Sequence, residues 1–332
     1  MPTLRDASYI VGNPIRHDAA RMVWPPESMK SGDALSTRRV IDRFARAGAA
    51  LHALERSTKQ AWKNIDRAAV VAGLRARVAD PALISQQKTK FCGTAAVAFE
   101  LARRDPARYV ETVAAIYTDG AFTTKTGRRI TAERELRDGA MPVPETSSPA
   151  IDAADWLLTA TLRDDENGVF DIDGEDARSN IAGFTLRAEM AAWTRDILGL
   201  KPTIVSCVTS GEVDAIRRAD ATLRAGGTAL LLIDANLIKD GTGNHEEDIS
   251  YQRINHAGGQ PGWKQPSLHS RDDGVYDHWV VCLGDLQIAS GANDDSKSPM
   301  SVRLWSWGAE FVVSGTAEAF SEYLYTVVLG TP

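Results

Sequence analysis

The chain reads as an α+β protein, with helices in its first part and strands in its second. Two observations carry that reading. Between residues 36 and 198 apolar side chains recur at helical spacing in one segment after another. Beyond residue 200 come short apolar runs such as Thr228-Ala229-Leu230-Leu231-Leu232-Ile233 and Trp279-Val280-Val281-Cys282-Leu283, set off by glycine- and proline-rich stretches. At 332 residues the chain can bury one large core, or a core plus an extension.

The bulk numbers exclude several classes. A formal net charge of -6 argues against a nucleic-acid partner, which a basic patch would announce. Three cysteines, an odd and sparse set without a CxxC pair, make neither a disulfide framework nor a zinc site. The start, Met1-Pro2-Thr3-Leu4-Arg5-Asp6, has no apolar signal core. No run approaches the roughly 18 apolar residues of a membrane span. The expectation is a protein made and folded in a cytoplasm, with no membrane partner; export by a leaderless route would leave no mark.

Residues 1–35 read as an irregular arm that Val23, Trp24 and Met29 could pin to a neighbouring surface. From Ser36 a helix follows, with Val40, Ile41, Phe44, Ala47, Leu51 and Leu54 on one face. A second helix is predicted over residues 59–78, with Trp62, Ile65, Ala69, Leu74 and Val78 inward, and Asp80-Pro81 ends it. Residues 1–80 are therefore expected to be an arm and helical extension, and 81–332 the main domain. Truncating residues 1–80 is expected to leave a soluble, active core. His17 and His52 read as structural.

The chain is organised around residues 86–99. Lys88, Thr89 and Lys90 resist burial and read as a loop, whereas Ala95, Ala96, Val97, Phe99, Leu101 and Ala102 read as a buried helix. Cys92 falls at the junction, a helix N-terminus, where unpaired N–H groups and the helix dipole favour thiolate over thiol. Gln86, six residues earlier, is close enough for its amide to reach the same spot. That amide and the Cys92 N–H could together hold an oxyanion. The bland alternative is a small buried cysteine that packs a helix.

Asp105-Pro106 opens the next helix, Asp as N-cap and Pro at the first position. Residues 120–131 form a hairpin turning at Thr126-Gly127, residues 138–150 a proline-containing linker, and residues 153–162 a helix. The acidic stretch 163–176 does not match a calcium loop and reads as solvated. A helix over 182–198 ends at Gly199. Then come a strand at 203–208, a helix at 211–225, the strand at 228–233 and a long polar loop over 240–274 containing His245, His256 and His269. That loop lacks the spacing of a metal-binding helix, so no cofactor or metal is expected. Strands follow at 276–283, 302–308 and 311–313, and a helix over 317–325 closes the chain.

A thiol nucleophile needs a base and a group to orient it. His278 is the best base, because it follows the long loop and opens a buried strand at the rim of a cleft. Cys207 and Cys282 lie inside apolar strands and read as inert packing residues.

Gln86-x5-Cys92-Gly93-x-Ala95, followed far downstream by His278-Trp279-Val280-Val281, resembles the papain-like cysteine peptidases, and within them the double-glycine (C39-like) branch. Ala225-Gly226-Gly227 and the strand at 228–233 match that branch's penultimate strand. The similarity covers residues from about 80 to 315. It implies a papain-like fold, in which a helical subdomain bearing Cys92 packs on a small antiparallel sheet bearing His278. It also implies Cys92 as nucleophile, His278 as base and Gln86 as oxyanion donor, with peptide hydrolysis through an acyl-enzyme. Such domains also serve as toxins or effectors delivered by bacterial secretion systems. The partners would then be a protein substrate, a cognate inhibitor or immunity protein, and a secretion apparatus.

The chain departs from the pattern at the third residue, where papain-like enzymes use Asn or Asp. If Gly284-Asp285 is a tight turn, Asn293 or Asp294 faces His278. If the turn is the polar stretch 290–298, the register puts His278 near Ser306-Trp307-Gly308, with Trp305 in the place of the usual asparagine. The second register is preferred, because residues 302–307 make the better strand. Ser306 is then the orienter, able to fix a tautomer but not to stabilise an imidazolium as a carboxylate does. Two alternatives stand beside the peptidase: a glutamine or asparagine deamidase using the same pair, and a catalytically silent binding module.

Overall fold

The computed structural model describes residues 34–87, 89–142, 150–166, 185–207, 212–238, 249–254, 278–288 and 297–332. Helices fill the first part: α1 (Ala34–Arg56), α2 (Arg67–Ala79), α3 (Cys92–Arg104) and α4 (Pro106–Asp119). A short 3-10 turn, Pro81–Leu83, precedes α3. A small hairpin, β1 (Ala121–Thr123) with β2 (Arg129–Thr131), is followed by α5 (Arg134–Asp138), α6 (Ala153–Glu166) and α7 (Arg187–Asp196). The rest is β3 (Lys201–Ser206), α8 (Glu212–Arg224), β4 (Thr228–Ile233), β5 (Ile249–Ile254), β6 (His278–Ile288), β7 (Pro299–Ser306), β8 (Ala309–Thr316), α9 (Ala317–Ser321) and β9 (Leu324–Thr331).

Side-chain caps hold several helix starts. Asp105 accepts from the Arg108 N–H with Pro106 at the first position, and Asp66 caps α2 through the Ala69 N–H. The far ends are held by cations. Arg43 donates to the Arg104 carbonyl at the end of α3, and Arg104 donates to the carbonyls of Gly226 and Gly227 just after α8. Lys125 does the same for Leu198 after α7. Each meets the negative end of a helix dipole.

The seven strands form one antiparallel sheet in the order β3-β9-β4-β6-β7-β8-β5. Alternation along the strands splits its residues between two cores. Leu230, Leu232, Trp279, Val281, Trp305 and Val328 face the helices, meeting Leu74, Phe99, Trp156 and Trp193. Ala229, Leu231, Ile233, Val280, Cys282 and Leu304 face the other way, onto Ala215, Ile216 and Ala219 of α8. This is why β4 is an unbroken apolar run: it is buried on both faces. Among the described residues no helix is long and apolar enough to cross a membrane.

The structure departs from the sequence reading in four places. The closing helix stops at Ser321, and the chain ends in β9, which lies in the sheet between β3 and β4. Ala317, Phe320 and Leu324 keep a helical spacing across that boundary, which conceals the β-rich run after it. The second helix starts at Arg67 rather than Lys59, because Trp62 and Ile65 are buried in irregular chain, with the Trp62 indole donating to the Ile116 carbonyl at 3.0 Å. The long loop contains a strand, β5, paired with β8. Finally, β6 runs on to Ile288, past the expected end at Leu283, with Gly284 and Asp285 as a bulge at φ 93° and 56°; no hairpin turns there, in line with the preferred register. Helices α1 and α2 place Ala47, Leu51, Leu54, Val70 and Leu74 in the same apolar core as α3, and that core crosses residue 80 without a break.

Candidate functional site

Helix α3 begins at Cys92 with Phe91 as its N-cap, a residue with no side-chain oxygen to offer. Phe91 is spent on packing, stacked on Trp156 at 5.8 Å. Phe91 itself therefore offers the first-turn N–H groups no side-chain cap.

Three contacts fix where that helix start lies against the sheet. At the far end Arg104 is tied to Gly226 and Gly227, immediately before β4. Midway, Phe99 stacks on Trp305 with ring centroids 4.2 Å apart. At the near end, a Cβ on Gly93 would collide with the Thr185 side chain, and the Thr185 carbonyl accepts the Trp279 indole N–H at 2.9 Å. Helix α3 thus runs along the sheet with Cys92 at the end where His278 opens β6 opposite Ile233. Only glycine fits after Cys92, because Thr185 occupies the space a side chain would need. Thr185 is backed by Arg163, which is buried and paired with Glu189 at 3.0 Å.

His278 is bonded as the preferred register expected. Its Nε2 lies 2.6 Å from the Ser306 hydroxyl, and both residues are buried. The next residue, Trp307, stacks flat on the imidazole, with centroids 3.8 Å apart and planes 8° apart. Trp307 and Gly308 form the two-residue turn between β7 and β8, at φ 45° and 72°. A turn with two positive φ angles suits a twisted hairpin, but it is costly for tryptophan. The strained residue is the one that covers the histidine. With Nε2 committed to Ser306, Nδ1 is the nitrogen left for a thiol.

Gln86 sits in a loop that rests on the same hairpin. Its Nε2 donates to the Thr89 carbonyl at 2.8 Å, and the Thr89 hydroxyl donates back to the Gln86 carbonyl at 2.7 Å. One amide hydrogen is thereby used and the second is left for another acceptor. The loop is anchored on both sides. Asp155 accepts the Ser85 N–H at 3.0 Å, and the Trp305 indole donates to the Ala82 carbonyl at 3.1 Å. Ser85 packs against Gly308, two residues after Ser306. The loop of Gln86, the start of α3 and the β6–β7–β8 corner therefore converge at one end of the sheet.

Burial, with a smaller contribution from the positive charge of Lys90, pushes the His278 ring down to about 3. The imidazole is neutral at physiological pH and can accept a proton, which is the general-base form rather than half of a preformed ion pair. A stability consequence follows. Unfolded histidine titrates near 6.5. As pH falls from 6.5 toward 3 the unfolded chain binds a proton that the folded ring refuses, so His278 lowers stability across that window. The slope approaches about 1.4 kcal/mol per pH unit. Urea midpoints at pH 7, 6 and 5 should fall less steeply in His278→Gln than in the wild type. Equal slopes would mean that the ring is protonated in the fold.

The remaining sequence candidates fall elsewhere. Cys282 is buried, and burial pushes its thiol up to about 12. Cys207 is buried too. Asn293, Asp294, His245, His256 and His269 lie outside the described residues. Among the described residues no group of three or more His, Cys, Asp or Glu side chains is placed to hold a metal. Thr185 and the stacking of Trp307 escaped sequence reading; Gly93 beside the cysteine was the one signal of a close approach. No protein-family model matches the chain, and no curated protein does.

Proposed function

We propose that the chain is a cysteine-dependent amide hydrolase of papain-like arrangement, acting on a peptide bond of a protein substrate. The observation that carries the reading is the 2.6 Å bond from His278 to Ser306, on the strand next to β6 and at the end of the sheet where α3 presents Cys92. In this reading His278 Nδ1 takes the Cys92 proton as sulfur attacks the amide carbonyl. The second Gln86 amide hydrogen and the Cys92 N–H receive the oxyanion. The imidazolium returns its proton to the leaving amine, and water, activated by the same ring, then cleaves the thioester. Ser306 fixes the tautomer, and Trp307 shields that bond from water.

A second reading has its own support. Cys92 and Gln86 are each 6 % exposed and His278 2 %. Groups so little exposed favour a small reaching group such as a single glutamine or asparagine side chain, and deamidation uses the same chemistry with ammonia as the leaving group. The two are separated by incubating the protein with casein and with glutaminyl peptides: new peptide termini mark a peptidase, ammonia release without cleavage a deamidase.

Either reading requires Cys92 to be the reactive thiol. Alkylation of each cysteine against pH, read by peptide mass spectrometry, should show Cys92 reacting at least about tenfold faster than Cys207 and Cys282. His278→Ala should remove most of that advantage. If Cys92 is no faster than the other two, the catalytic readings fall and a silent binding module on the same scaffold is favoured.

A further inference from the structure

Lys90 is the charge that the catalytic reading leaves unused. It precedes Cys92 by one residue, Phe91, and is half-buried in the loop that Gln86 and Thr89 lock. Among the described residues it makes no ion pair, whereas most other cations of this loop and its neighbours are paired: Arg77 with Asp155, Arg163 with Glu189 and Arg103 with Glu100. The orienter of His278 is a serine, so this pair brings no carboxylate to offset a nearby cation. Asp277 lies outside the described residues. The helix start beside Cys92 adds the positive end of a dipole, and Phe91 gives it no side-chain cap. Among the described residues, lysine, dipole and uncharged orienter together put a positive sign beside Cys92, on a chain whose net charge is -6.

We infer that Lys90 makes the Cys92 site selective for anionic substrates: the amide it attacks is flanked by a carboxylate, from an acidic side chain or a free C-terminus. A long lysine side chain beside the nucleophile can meet that carboxylate at the site's edge, and burial around it weakens competition from water. The same charge supports the Cys92 thiolate during attack while His278 carries no charge of its own beforehand. This inference rests on Cys92 being the nucleophile.

The test uses the full chain and two small probes of nearly equal shape, anionic iodoacetate and neutral iodoacetamide. Each alkylates the thiolate by forming a sulfur–carbon bond as iodide leaves. The rate ratio of the two at Cys92 is divided by the same ratio for glutathione, at low salt. The expected result is a preference for iodoacetate of about fivefold, retained in Lys90→Arg, lost in Lys90→Gln, reversed in Lys90→Glu, and reduced by 0.5 M salt in the wild type. A lysine with only a structural role would slow both probes together and leave the ratio unchanged. If Cys92 outpaces Cys207 and Cys282 but Lys90→Gln does not change the ratio, the inference falls and the nucleophile stands. If Cys92 is no faster than those two, both fall.

Discussion

Asp155→Ala is expected to be the most damaging single substitution in the polar interior, costing about 3–5 kcal/mol. Asp155 is buried on α6 and takes both ends of the Arg77 guanidinium at 2.7 Å, with the Ser85 N–H at 3.0 Å completing its bonds. Burial is the largest influence on this carboxyl and pushes it upward, and the Arg77 charge opposes it. Removing the carboxylate strands a buried guanidinium with Asp152, half-exposed at 3.2 Å, as its remaining acid. A loss of that size is comparable with the whole stability of many domains. Asp155→Asn, which keeps an acceptor for Ser85 but not the charge, should be milder. The functional readout is separate from the stability readout. Ser85 adjoins Gln86, so a folded Asp155→Asn protein, which keeps the Ser85 bond, should retain the Cys92 alkylation advantage. Urea midpoints for both variants and the cysteine rate profile check this. A midpoint for Asp155→Ala within 1 kcal/mol of the wild type would show that the pair contributes little.

Deleting residues 1–80 is the second large effect, and here the packing points away from a dispensable arm. Helix α1 packs against α4, and α2 against α6. Leu51, Leu54, Val70, Leu74 and Val78 are buried in the core that holds Phe99 and Trp156. Burying side chains of this kind stabilises by about 1.5–3 kcal/mol each, together on the order of 10 kcal/mol. The deletion also removes Arg77 and leaves Asp155 buried without its cation. The expected outcome is an insoluble or molten product. Soluble yield and near-ultraviolet circular dichroism of the truncated chain decide it. A soluble, cooperatively folding 81–332 fragment would show that the extension is separable.

What the sequence by itself determined is what short-range physics determines. Cys92 opens α3 and Arg104 closes it because an apolar period begins and ends there, with Asp105-Pro106 restarting the chain. The run from Thr228 to Ile233 is a strand buried on both faces because nothing polar interrupts it. The pairing of His278 with Ser306 was legible because strand alternation in residues 302–307 and a polar turn before them leave one good register. Other features needed the tertiary structure. The helical spacing of Ala317, Phe320 and Leu324 hid β9, which forms because β3 and β4 both offer it open backbone. Thr185 reaches Gly93 across 92 positions of chain, and its geometry follows from α6 and α7 packing rather than from any neighbour in sequence. The neutral state of His278 was equally illegible, since it depends on burial and on the field of Lys90, far away in sequence. Caps and periodicity act within a few residues, whereas desolvation and charge act through space, and only a folded chain specifies which groups share that space.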